Sequence, residues 1–179
     1  MAVPSPIRLA DLTKLGVGLE RPEDVVIDFQ GVVWAADKAS ACARVSADGS
    51  LERYGAAGGE PNGITIDPQD GSLIIANIGS GCVQRLRLDT NSVEVMLSEA
   101  GGEPIATPNY VAYDTHGRLW GTVSTRRGQV PEWLDGTPDG FVFCLHPNGD
   151  TAIVADGLQF ANGAALDAKE EYLYVAQST

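Results

Sequence analysis

Short apolar, β-prone runs separated by turn residues fill the chain from residue 23 onward, and helical patterning is nearly absent. The clearest unit is Thr107–Thr125, T-P-N-Y-V-A-Y-D-T-H-G-R-L-W-G-T-V-S-T. It predicts a strand from Asn109, a tight turn at Asp114-Thr115-His116-Gly117 and a second strand from Arg118. The same phrase recurs from Glu23, Asn62 and Asn162, so the repeats start 39, 47 and 53 residues apart. The first predicts strands at Asp24–Asp28, Val32–Ala36, Ala41–Val45 and Leu51–Tyr54. The second predicts Gly63–Asp67, Leu73–Asn77, Val83–Leu88 and Val93–Leu97, and the third Tyr110–Asp114, Leu119–Val123, Phe141–Leu145 and Thr151–Val154. The fourth offers Gly163–Asp167 and Tyr172–Ala176, two strands of four.

Repeats of this length, each four short strands, predict an all-β chain forming a β-propeller, with about three and a half four-stranded blades. Several strands are apolar on both faces, such as Val25-Val26-Ile27, Leu73-Ile74-Ile75-Ala76 and Leu173-Tyr174-Val175-Ala176. Blades stacked face to face bury both surfaces of a strand, whereas a sandwich strand alternates. Residues 1–21 form an N-terminal segment outside the repeats, and 22–179 the partial propeller. Residues 5–15 are a candidate closing strand, pairing with Tyr172–Ala176 in this chain or in a partner. A homodimer whose half-blades complete one another is the corresponding assembly expectation. The insertion Ser124–Gly140, carrying Arg126, Arg127 and Trp133, separates the second and third strands of its repeat and would overlie a binding face.

Twelve basic against 24 acidic residues leave a net charge of −12, which argues against nucleic acid or an anionic membrane as partner. The three cysteines, Cys42, Cys82 and Cys144, lie far apart without C-x-x-C spacing, and read as buried reduced thiols. No basic-then-apolar leader opens the chain and no apolar run approaches the ~18 residues of a membrane span. A cytoplasmic location is the resulting expectation.

The phrase P-N-G-hydrophobic-x-hydrophobic-D followed by G-x-L-aromatic-V-A resembles the SMP-30/gluconolactonase/LRE-like family of the calcium-dependent phosphotriesterase superfamily. The matching residues are Pro22-Glu23, Pro61-Asn62-Gly63, Pro108-Asn109 with Gly117-Arg118-Leu119-Trp120, and Ala161-Asn162-Gly163 with Leu173-Tyr174-Val175-Ala176. The resemblance implies a six-bladed propeller that hydrolyses a small lactone or ester with a divalent cation in its central tunnel. It assigns the metal to Glu23, Asn109 and Asn162, and substrate contacts to Asn62 and Asn109. It also implies that the water-activating carboxylate lies on a blade beyond the last residue and that a basic residue is replaced by Thr107.

The residues themselves support an oxygen site. Glu23, Asn62, Asn109 and Asn162 occupy one phase at the starts of the innermost strands, where equivalent side chains of a propeller converge. A carboxylate with amide oxygens suits a hard cation, Ca²⁺ ahead of Zn²⁺ or Mg²⁺. Against this stands the bland role of Asn before Gly as a turn residue. Asp28, Asp67, Asp114 and Asp167 also recur, but at the hairpin turns, and read as structural. His116 and His146 sit in turns, and neither Ser124 nor Ser178 has a G-x-S-x-G context. The alternative function is a non-catalytic module binding a small molecule or protein through Arg126, Arg127 and Trp133.

Overall fold

The computed structural model describes residues 7–128 and 135–178. Trp133, expected to carry a substrate contact, lies outside them. Three four-stranded antiparallel sheets follow in chain order, each a simple meander. The first comprises β1 (Val25–Ile27), β2 (Val33–Ala36), β3 (Cys42–Val45) and β4 (Leu51–Tyr54). The second comprises β5 (Pro61–Ile66), β6 (Leu73–Asn77), β7 (Cys82–Arg87) and β8 (Ser92–Leu97). A two-stranded ribbon of β9 (Glu99–Ala100) and β10 (Glu103–Pro104), absent from the sequence reading, leads into the third. That sheet comprises β11 (Pro108–Tyr113), β12 (Leu119–Val123), β13 (Gly140–Leu145) and β14 (Thr151–Leu158). β15 (Ala161–Leu166) and β16 (Leu173–Gln177) form a two-stranded sheet, with no further strand among the described residues. The first strands of successive sheets, β1, β5, β11 and β15, are neighbours and line the axis.

The blade argument holds in the centre of the molecule. Along β6, Leu73 and Ile75 enter the core shared with the first sheet, beside Trp34, Ala36 and Leu86. Ile74 and Ala76 enter the core shared with the third sheet, beside Val111, Leu119, Phe141 and Phe143. A strand buried on both faces is what the unbroken apolar run requires. At the two ends the same composition meets solvent: Val25 and Ile27 of β1 are 57% and 66% exposed, and Tyr174 of β16 is 63% exposed.

Residues 7–21 contribute no strand to the described structure. Leu9–Asp11 makes one 3₁₀ turn, and the following stretch lies against the first sheet, where Arg53 donates to the Gly18 carbonyl at 2.7 Å. A closing strand within the chain is therefore not seen, since β16 has β15 as its single neighbour among the described residues. Cys42, Cys82 and Cys144 are buried free thiols, and burial raises the pKa of each. No helix among the described residues is long and apolar enough to cross a membrane.

Candidate functional site at the start of the axial strands

Three of the axial strands begin two residues earlier than the four-strand repeats predict, at Pro61, Pro108 and Ala161, so Asn62, Asn109 and Asn162 all lie inside strands rather than in turns. Each strand carries a break in register at the asparagine: between Pro61 and Ile64, Pro108 and Tyr110, and Ala161 and Ala164. A bulge frees residues from ladder pairing and re-aims their side chains, a feature common beside functional sites. None of the three asparagines has a positive φ, so the left-handed turn role does not describe them. Gly63 permits the arrangement. A Cβ there would lie 2.6 Å from Tyr110 Cα and 2.7 Å from the Asn109 carbonyl oxygen, so β5 and β11 approach each other backbone to backbone.

The side chains form a relay that crosses the blades. Arg21 Nη1 donates to Asn62 Oδ1 (3.1 Å) and to the Pro61 carbonyl (3.2 Å). Asn62 Nδ2 donates to the Asn109 carbonyl (2.8 Å) and Oδ1 (3.1 Å). Asn109 Nδ2 donates to Ser124 Oγ (3.0 Å), and Ser124 Oγ donates to the Ala161 carbonyl (3.0 Å). Every bond points the same way round the axis, and aligned bonds polarise one another. Asn62, Asn109 and Ser124 are buried. Asn162 is joined through its backbone, whose carbonyl accepts from Thr122 Oγ1 at 2.7 Å. Its Nδ2 donates to Ser178 Oγ, and no described donor reaches its Oδ1.

Glu23 precedes β1 and is exposed, with Arg21 Nη2 3.6 Å from its carboxylate. The structure thus brings Asn62 and Asn109 into contact and ties Glu23 to Asn62 through Arg21. Asp24 is spent on structure: its two oxygens accept from the Val25 and Ile64 amides, and burial raises its pKa. Thr107, in the place of the expected basic residue, is buried and exchanges hydrogen bonds with Thr125.

Arg126 and Arg127 are partly exposed and paired within the protein. Arg126 makes two bonds to Asp156, one to the Asp139 carbonyl, and stacks on Phe141 with its guanidinium carbon 4.6 Å from the ring centroid. Arg127 pairs with Asp135 and Asp139. They anchor the insertion. The arginine bonds hold the Asp135 and Asp156 carboxyls below the ordinary range.

For a divalent cation, the donor chemistry at the axis fits: carboxylate and amide oxygens, without sulfur or imidazole. Glu23 and Asn162, at the first and fourth axial strands, carry oxygens outside the relay, whereas Asn62 and Asn109 already direct theirs at it. A different cluster, Asp114, His116 and Glu170, offers three ligand atoms within 4.8 Å of one another. It lies at the other end of the axial strands, about 15 Å from Asn109 along five residues of strand. Its oxygens are taken: Asp114 accepts from the His116 and Arg118 amides, the Arg118 guanidinium and Trp120 Nε1, and Glu170 accepts from Thr115. A cavity of about 580 Å³ is also at that end, between the first and second sheets. Its arginines, Arg44 and Arg87, are ion-paired to Glu52, Asp70 and Glu94.

Sequence reasoning missed Arg21 and Ser124. Ser124 was weighed only as a nucleophile, and nothing near Arg21 announced a partner 41 residues away.

Solved structures share the fold. A gluconolactonase from Xanthomonas campestris superposes with a TM-score of 0.74 at 21% identity, over 89% of this chain and 55% of that one. Virginiamycin B lyase from Staphylococcus aureus, solved with quinupristin, gives 0.62 at 16% identity, over 87% and 48%. The chain therefore spans about half the length of these propellers. The adipocyte plasma membrane-associated protein hemomucin of Drosophila melanogaster is 29% identical over 131 residues, 67% of this chain and 22% of that protein. The SMP-30/Gluconolactonase/LRE-like region matches residues 44–179, which include Asn62, Asn109, Ser124 and Asn162 and begin after Glu23. On that match over about three quarters of its length, the chain belongs to the SMP-30/gluconolactonase/LRE-like family.

Proposed function

We propose that the start of the axial strands is the site of metal-assisted hydrolysis of a small lactone or related ester. The observation that carries this reading is the bulged asparagine at one register of three neighbouring axial strands, two of them locked in contact, in a chain of this family. Glu23 and Asn162 would hold the ion, Ca²⁺ ahead of Zn²⁺ or Mg²⁺. When bound, the ion supplies Lewis acidity toward the ester carbonyl. Asn62 and Asn109, held against each other and by Ser124, would orient the substrate, and a preset amide costs no reordering when the substrate arrives. Hydrolysis also calls for a carboxylate beside the attacking water. Asp24 has both oxygens occupied, so this reading takes that group from beyond the described residues, from a second copy closing the ring or from further blades.

A non-catalytic binding module is the second reading. What favours it is that the oxygens of Asn62 and Asn109 already have donors. Hydrolysis of a simple lactone, followed by acid release with and without Ca²⁺, separates the two. Calcium-dependent turnover that falls at least about tenfold in Asn109→Ala supports the hydrolase. A calcium-loaded, ring-closed assembly without turnover supports the module.

A further inference from the structure

The Arg21 guanidinium occupies the oxygen cluster nearest Glu23, and we propose that it is a built-in competitor of the divalent cation, which binds only by displacing it. This inference rests on the ion site proposed above. Four oxygens face the guanidinium. Nη1 reaches the Pro61 carbonyl and Asn62 Oδ1 at 3.2 and 3.1 Å, Nη2 lies 3.6 Å from the Glu23 carboxylate, and Nε lies 4.0 Å from that of Glu60. Carboxylate, amide oxygen and backbone carbonyl are the donor mixture a calcium ion takes. A cation of the protein's own is therefore seated on a calcium-like donor set.

The backbone holds it there. Arg21 has φ +50°, a left-handed conformation uncommon for a residue with a side chain. The segment carrying it is pinned on its N-terminal side, where the Glu20 amide donates to buried Asp37 and the Glu20 carbonyl accepts from the Lys38 amide. The two contacts to carboxylates are longer than hydrogen bonds and partly exposed, so they are weak ties. Glu60 has Lys38 Nζ at 2.7 Å and stays neutralised when Arg21 leaves. Withdrawal of Arg21 would thus release Glu23 and Asn62 Oδ1 together. It would also remove the donor at the head of the relay, leaving Asn62 free to turn its oxygen toward an ion.

The test is calorimetric titration of Ca²⁺ into the parent chain, Arg21→Gln and Arg21→Met at low salt, with melting temperatures in the presence and absence of Ca²⁺. Arg21→Met keeps the apolar stem should the glutamine variant fail to fold. Removing one positive charge from the site is expected to tighten Ca²⁺ binding about tenfold. The variants should melt lower than the parent without Ca²⁺ and gain more from its addition. Equal or weaker binding by a folded variant, while the parent binds, overturns the competitor role and leaves the ion site standing. No Ca²⁺ binding by parent or variants overturns both.

Discussion

The two ends of each axial strand carry recurrent polar residues in the same repeat, yet the structure uses them in opposite ways. At the turn end the aspartates chiefly serve their own hairpins, although Asp67 also accepts from Arg85 of its own sheet and from the Tyr113 hydroxyl of the next. Asp28 accepts from the Gln30 and Val32 amides, Asp67 from Gln69, Asp114 from His116 and Arg118, and Asp167 from Glu171 and Tyr172. At the other end Asn62 reaches across to Asn109 of the next blade, and Asn109 passes the relay within its own sheet to Ser124, which donates to Ala161 of the blade after. Recurrence alone does not separate fold from site. The local bonds do: a side chain that holds the amides two to five residues further on builds a turn, whatever else it reaches, and one whose bonds all go to residues fifteen or more positions away joins strands and blades or faces a ligand.

The sharpest way to break that contrast is at glycine. Gly63→Val sets a side chain against the backbone of Tyr110 and Asn109, which cannot yield, and should cost about 3 kcal/mol or prevent folding. Gly117→Ala at the turn end meets only Pro147 Cγ at 3.6 Å, but its φ of +75° strains a substituted residue, for about 1 kcal/mol. Urea unfolding reads both.

Asp114→Asn comes next. The Asp114 carboxylate is fully buried, and its burial opposes ionisation. Bonds from Trp120, from the Arg118 amide and from the Arg118 guanidinium outweigh that and hold it below the usual range. A depressed pKa contributes stability above the unfolded value, near 4, and loses it as the pH falls through the folded value. Asp114→Asn should therefore lose about 3 kcal/mol at pH 7, with a flatter stability profile below about pH 4. A variant as acid-sensitive as the parent would show that Asp114 contributes nothing to the acid limb.

Ser124→Ala is the smaller change at the site end. It removes the hydroxyl that accepts from Asn109 Nδ2 and donates to the Ala161 carbonyl, and should cost about 1–2 kcal/mol. A thermal melt unchanged to within about 1 °C would contradict the relay.

Much of the turn end was legible in the sequence, because a hairpin turn is decided by residues adjacent in the chain. The doubly buried β6 was legible too, since Leu73-Ile74-Ile75-Ala76 has no polar face to give to water. What stayed hidden depends on neighbours distant in sequence. The bulges at Asn62, Asn109 and Asn162 arise from how axial strands pack against one another, and the relay joins residues 15 to 47 positions apart. Val25, Ile27 and Tyr174 read as buried by composition, yet they lie on faces of the two end sheets that no other described blade covers.

The contrast is tested most directly by titrating Ca²⁺ into the parent chain, Asn162→Ala and Asp114→Asn under one set of conditions. If the start of the axial strands is the site, Asn162→Ala loses at least about tenfold in Ca²⁺ affinity, as deletion of a ligand should. Asp114→Asn then binds like the parent while melting at a lower temperature. Parent-like binding by Asn162→Ala, with binding lost in Asp114→Asn, would contradict the account and place the ion at the Asp114–His116–Glu170 cluster instead.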